Sequence, residues 1–130
     1  MKVYLAQLTH RITKKVIYKC GYVKHQNAAK RFDGDEYKDF DIEILGSINI
    51  SNPSYDKAVE YCKEIEQYLQ KKFPKNFWIE NYLGVERGYY DGLSGITEMF
   101  ILEKGQTKSD VVSLFYKVKD RVDANPKFRM

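Results

Sequence analysis

Two prolines, Pro53 and Pro74, bracket the longest helix-periodic stretch of the chain, "SNPSYDKAVEYCKEIEQYLQKKFP". Ser51 or Asn52 supplies an N-cap, Pro53 suits a first helical turn, and Pro74 marks the end. At about 100° per residue, Tyr55, Ala58, Val59, Ile65, Leu69 and Phe73 fall within about 60° of Cys62. A helix with so broad an apolar stripe must lay it against a second layer. The rest of the chain therefore has to supply that layer, and most of its apolar residues sit in strand-like runs.

One residue disturbs the stripe. Glu60, Glu64 and Gln67 lie on the far side, as solvated residues should, but Glu66 lies about 40° from the stripe's centre. A buried carboxylate costs several kcal/mol, on the order of a broken ion pair, unless it is paired, hydrogen-bonded or bound to a cation. Glu66 is then either a stripe-edge residue that reaches water or a structural ion pair, or else a metal ligand or catalytic acid facing a cleft.

The strands come first in the chain. "KVYLAQLT" (2–9) is rich in β-formers, "HRITKK" (10–15) is a charged connection, and "VIYKCGY" (16–22) reads as the returning strand of a hairpin. Lys19 is out of place there, between Tyr18 and Cys20 in an otherwise apolar run. "NAAKRF" (27–32) is a short helical segment with Asn27 as its cap, and "DGDEYKD" a polar loop. In "FDIEILGSINI", Phe40, Ile42 and Ile44, then Ile48 and Ile50, alternate as in a strand, and Gly46 breaks or bulges it.

The stretch from Asn76 to Leu102 reads as one or two strands around glycine turns, the better being Ile96–Leu102. A last helix starts near Thr107 or Ser109, with Val111, Val112, Phe115, Val118 and Val122 as its stripe; the tail from Asn125 frays. The expectation is one α+β domain over 1–130, with a core at about 2–102 and a C-terminal helix at about 107–124. A central antiparallel or mixed sheet is flanked by helices.

Composition narrows the function classes. At 130 residues and 43% hydrophobic the chain is long and apolar enough for one real core. Cys20 and Cys62 are too few for a disulfide scaffold and read as buried thiols; with only two histidines a Cys/His zinc site is poorly supplied. No run approaches the ~18–20 apolar residues of a membrane span, and no signal peptide opens the chain, so the expected location is cytoplasmic. Eleven tyrosines and a net charge of +4 suit a polyanionic partner without demanding one. His10 and His25 fall in turns and are given no chemistry.

The order of the charged and aromatic residues resembles the GIY-YIG nuclease superfamily, in its phage-type branches. "VYL" (3–5) stands where the first motif would be and "KCG" (19–21) where the second would be. "AAKRF" (28–32) resembles the arginine-bearing helix and "EIEQYLQKKFP" (64–74) the helix of the metal-binding glutamate. "GITEMF" (95–100) is similar to a later Gly-x-Glu-aromatic segment. The likeness is fairly continuous over 2–73 and looser to about 102. Lys2 and Val3 depart from the first motif, Val23 replaces a frequent threonine, and Asp35 lies one turn beyond the arginine, with Tyr37 nearby.

That resemblance implies a small metal-dependent endonuclease cutting DNA with Mg²⁺ or Mn²⁺. Tyr4 takes the place of the general base, Lys19 (or Tyr18 in the alternative register) the second-motif position, Arg31 the phosphate-binding arginine and Glu66 the metal ligand. Such chemistry needs an activated water, neutralisation of the pentacoordinate phosphorus and help for the leaving oxygen. Arg31 suits a phosphate oxygen bidentately, and a cation beside Tyr4 favours its phenolate.

Arg11, Lys14, Lys15, Lys24 and Lys30 are the expected DNA contacts. "KNFWIENY" and "RGYY" interleave aromatics with basic groups, as stacking platforms or as half-buried strand residues. Glu98 is either a second acidic contributor or a strand-edge residue, the latter being preferred. One such site nicks one strand, so duplex cutting calls for a homodimer or two events. The alternatives are an inactive protein on the same scaffold, binding nucleic acid or a host protein, and a protein–protein module built on tyrosines.

Overall fold

A computed structural model describes residues 1–24, 32–50, 55–72, 78–93 and 95–124. Strands β1 (Lys2–His10), β2 (Val16–Val23), β3 (Phe40–Asn49) and β4 (Met99–Phe100) form one antiparallel sheet in the order β3-β1-β2-β4. Helices α1 (Tyr55–Lys72), α2 (Ile79–Leu83) and α3 (Lys108–Ala124) complete the described secondary structure, with 3-10 turns at Asp35–Tyr37 and Ile96–Glu98. The molecule is thus α+β. No helix among the described residues is long and apolar enough to cross a membrane.

β1 is central because it can be buried on both faces. Successive side chains point to opposite sides, and here both sets are apolar: Val3 and Leu5 on one, Tyr4, Ala6 and Leu8 on the other, all at most 1% exposed. The first set joins Tyr18, Cys20, Ile48 and Phe100 under α1 and α3, which contribute Cys62, Ile65, Val111, Phe115, Val118 and Val122. The second joins Ile17, Val23, Phe32, Tyr37, Phe40 and the segment after α1, through Ile79, Leu83, Tyr90, Leu93 and Met99. Both cysteines are free and buried.

The hairpin is closed by its charged turn. The His10 and Lys14 amides donate to the Lys15 and His10 carbonyls, each at 2.9 Å, and Lys14 takes the left-handed conformation at φ 63°. His10 is buried, and its Nδ1 accepts from the Thr13 amide at 3.1 Å, so it fixes the turn. In β3 the irregularity expected at Gly46 is a bulge. Leu5 pairs with Gly46 and Ala6 with Ile44, leaving Leu45 as the extra residue. The Tyr116 hydroxyl donates to its carbonyl at 3.0 Å, which ties α3 to the bulge.

The 76–102 region departs from expectation. Of the expected strand Ile96–Leu102 only Met99–Phe100 is a strand, β4, and the other described residues of the region hold α2, an irregular segment and a 3-10 turn. Gly84, Gly88 and Gly95 all have positive φ, which interrupts any extended run. β4 pairs with β2 only at Tyr18–Phe100 and Lys19–Met99. Within α1 the stripe's Cys62 and Ile65 are fully buried; its expected caps and Pro74 lie outside the described residues, as do the expected helix at 27–31 and the tail from Asn125.

Candidate active site

The pleat of β2 places Ile17, Lys19, Gly21 and Val23 on one face and Tyr18 and Cys20 on the other. Lys19 pairs with Ala6, and Tyr4 pairs with Gly21. Two small residues therefore stand opposite two long ones, and the long side chains meet on the diagonal. Lys19 Nζ donates to the Tyr4 hydroxyl at 2.5 Å. A β-carbon at Gly21 would stand 2.7 Å from the Tyr4 oxygen, so the phenol lies where only a glycine leaves room.

A buried ammonium needs more than one neutral partner. The second is Glu98, whose Oε2 lies 3.1 Å from Lys19 Nζ. Local geometry delivers it: Gly95, at φ 76°, caps the 3-10 turn Ile96–Glu98, and Met99 then pairs with Lys19. Glu98 is no strand residue, so the alternation of Ile96, Glu98 and Phe100 does not describe a sheet face. The Phe32 and Tyr4 rings complete the cage, with Lys19 Nζ at 5.6 and 5.2 Å from their centroids. Lys19 is 1% exposed, whereas the Glu98 side chain keeps 32%, so the cluster meets solvent on the carboxylate side.

Of the expected catalytic residues, the structure brings Tyr4 and Lys19 together. It does not bring Tyr18 to them. That ring stacks on Phe100 at 5.7 Å on the opposite face, and burial, with Tyr82 adding to it, pushes its pKa up, so it stays a neutral phenol. Arg31 lies outside the described residues, although the residue after it, Phe32, packs edge-on to Tyr4 at 5.6 Å. The backbone of Glu66 belongs to α1, which packs on the face of Tyr18 and Cys20, opposite the Tyr4–Lys19 pair. The Glu66 side chain is outside the described ones.

The basic residues divide. Arg11, Lys14 and Lys15 sit in the hairpin turn, roughly 20 Å along β1 from Tyr4 at about 3.3 Å per residue, and Lys24 follows the other end of β2. Arg11 is bound to Asp41 at 3.0 Å, and Lys15 donates to the Tyr82 carbonyl at 2.6 Å. Lys30 and His25 are outside the described residues. A cleft of about 400 Å³ runs beside β3, lined by Arg11, Phe32, Asp33, Tyr37, Lys38 and Asp41 among others.

Among the described residues no three metal-ligating side chains come together. The carboxylate at the pair, Glu98, is already held by an ammonium, so these residues by themselves do not build a Mg²⁺ site. What they do is hold the Tyr4 phenol oxygen against the Lys19 ammonium, which Glu98 holds in turn. The signal for Glu98 was present in the sequence: it is the sole charged residue between Asp91 and Glu103, and a buried lysine calls for a carboxylate.

Comparison of the chain with family models, with curated proteins and with solved structures gives no match.

Proposed function

We propose that this protein is a small nuclease hydrolysing phosphodiester bonds in DNA, with a GIY-YIG-like site centred on Tyr4 and Lys19. The observation that carries the proposal is the 2.5 Å bond between the Lys19 ammonium and the Tyr4 hydroxyl, made by adjacent strands at the two motif positions. Tyr4 is the base that takes a proton from the attacking water. Lys19 holds the phenol oxygen in place, and Glu98 holds Lys19. Arg31 is assigned to the phosphate. The resemblance assigns a Mg²⁺ or Mn²⁺ to Glu66, but α1 lies on the sheet face opposite Tyr4 and Lys19, so that metal stays outside this cluster and enters only through the assay below.

The second reading is a non-cleaving protein on this scaffold that binds nucleic acid or a host protein. Two observations favour it: Tyr4 and Lys19 are 0% and 1% exposed, and α1 covers the face opposite them. A nicking assay on supercoiled plasmid in Mg²⁺, Mn²⁺ or EDTA, with Glu98→Gln and Glu66→Ala beside the wild type, separates the two. Metal-dependent relaxation lost in Glu66→Ala supports the nuclease and its metal ligand. DNA binding without relaxation in any metal supports the binder.

A further inference from the structure

We infer that α2 and the hairpin turn form a stacking surface for single-stranded nucleic acid. Trp78 and Tyr82 are four residues apart, joined by the Tyr82 amide donating to the Trp78 carbonyl at 2.9 Å. That spacing puts them on one side of the helix, about 6 Å apart along its axis. Trp78 is 50% exposed, unusual for the chain's sole tryptophan in a protein with two apolar cores to bury it in.

Each ring carries a cation. Gly84, in the left-handed conformation at φ 74°, turns the chain back beyond α2, and Arg87 lies over the Trp78 ring with its guanidinium carbon 5.2 Å from the centroid. Lys15 reaches across from the hairpin turn, its Nζ 5.1 Å from the Tyr82 centroid. The Tyr82 hydroxyl donates to the Val16 carbonyl at 3.1 Å, fixing α2 to the start of β2. Arg87 over Trp78 and Lys15 over Tyr82 thus form two cation–ring pairs on α2, with Tyr82 half-buried against the core.

Rings paired with cations suit unpaired bases on a phosphate backbone: each base offers a π-face to a ring, and each phosphate an anion to a cation. A duplex keeps its bases stacked inside and offers the rings nothing. Ile79 and Leu83 pack α2 onto the same sheet face as Tyr4, and Val16 is about 10 Å along β2 from Lys19. α2 therefore lies on the same face of the sheet as the proposed active site. The inference rests on the nucleic-acid substrate class of that proposal, but not on cleavage.

The test is a titration in EDTA of the full chain with a short oligothymidylate and with a blunt duplex of equal length, following Trp78 fluorescence and the anisotropy of labelled DNA. Quenching by the single strand, weakened by salt and stronger than by duplex, is expected. Trp78→Ala and Arg87→Ala should each weaken single-strand binding at least about fivefold, and Trp78→Phe should retain most of it. Absence of quenching, preference for duplex, or unchanged affinity in a normally folded Trp78→Ala would overturn the inference; should that variant not fold, unchanged affinity in Arg87→Ala does so. Set beside the plasmid assay in Mg²⁺ or Mn²⁺, cleavage there with no single-strand binding in EDTA sinks only the stacking surface. Binding without cleavage sustains the surface and sinks the nuclease.

Discussion

Gly95 and Lys19 are packed so closely that a β-carbon on the glycine would overlap Lys19 Cε and lie 2.8 Å from its Nζ. The contact couples a 3-10 turn late in the chain to the second strand, and it sets the position of the ammonium relative to Tyr4. Gly95 also occupies the left-handed region, at φ 76°. Gly95→Ala is therefore expected to cost about 1–2 kcal/mol from backbone conformation alone and to push Lys19 off the Tyr4 oxygen. Urea melts read the first effect and loss of cleavage the second. Wild-type stability and activity together would show that the contact is dispensable.

The bond between Lys19 and Tyr4 should appear as an interaction energy. Lys19→Met keeps the length of the side chain but removes both the bond to the Tyr4 oxygen and the ion pair to Glu98, at about 1–3 kcal/mol. Tyr4→Phe removes the other half of that bond. The double variant should cost less than the sum of the singles, by roughly 1 kcal/mol or more. Strict additivity in denaturant melts would mean that the two groups do not interact.

Two tyrosines make stability depend on alkaline pH. Burial raises the Tyr90 pKa, and its hydrogen bond to Asp39 at 3.0 Å adds to this; burial and Tyr82 raise that of Tyr18. Unfolded tyrosines ionise near pH 10, so the folded state holds these protons more tightly. The stabilisation is complete below about pH 10 and is lost as pH rises towards the folded values, by up to about 1.4 kcal/mol per unit for each group. Urea midpoints should fall from about pH 10 upwards and fall less in Tyr90→Phe. An unchanged slope in that variant would remove Tyr90 from the account.

The bulge in β3 is a packing device for α3. A β-carbon at Gly46 would stand 2.9 Å from Cε1 of Phe115, which is 1% exposed and has no room to yield. Gly46→Ala should cost about 1–3 kcal/mol and raise amide exchange in α3 more than in β1. Tyr116→Phe, which loses the bond to the Leu45 carbonyl, should cost about 1 kcal/mol.

What the sequence disclosed followed its periodicities. The β-formers of 2–9 and 16–22 around a charged turn, apolar on both faces, and the single apolar stripes around Cys62 and along 111–122 all became the elements expected of them. Within 76–102 the expected strand Ile96–Leu102 shrank to Met99–Phe100 and α2 stands where extended structure was expected, because Trp, Tyr and Ile favour strands. Three glycines with positive φ and an edge that pairs only at Tyr18 and Lys19 overrode that preference. The same misreading hid Glu98, whose approach to Lys19 depends on a turn and not on strand alternation. Arg87 over Trp78 was hidden for a similar reason, since only the reversal at Gly84 brings them together.

The most direct measurement is the single-turnover rate of plasmid nicking by folded Tyr4→Phe, compared with the wild type under the same metal. A base at Tyr4 predicts a fall of at least about 100-fold with plasmid binding retained. Nicking by Tyr4→Phe at the wild-type rate would contradict it and place the chemistry elsewhere in the molecule.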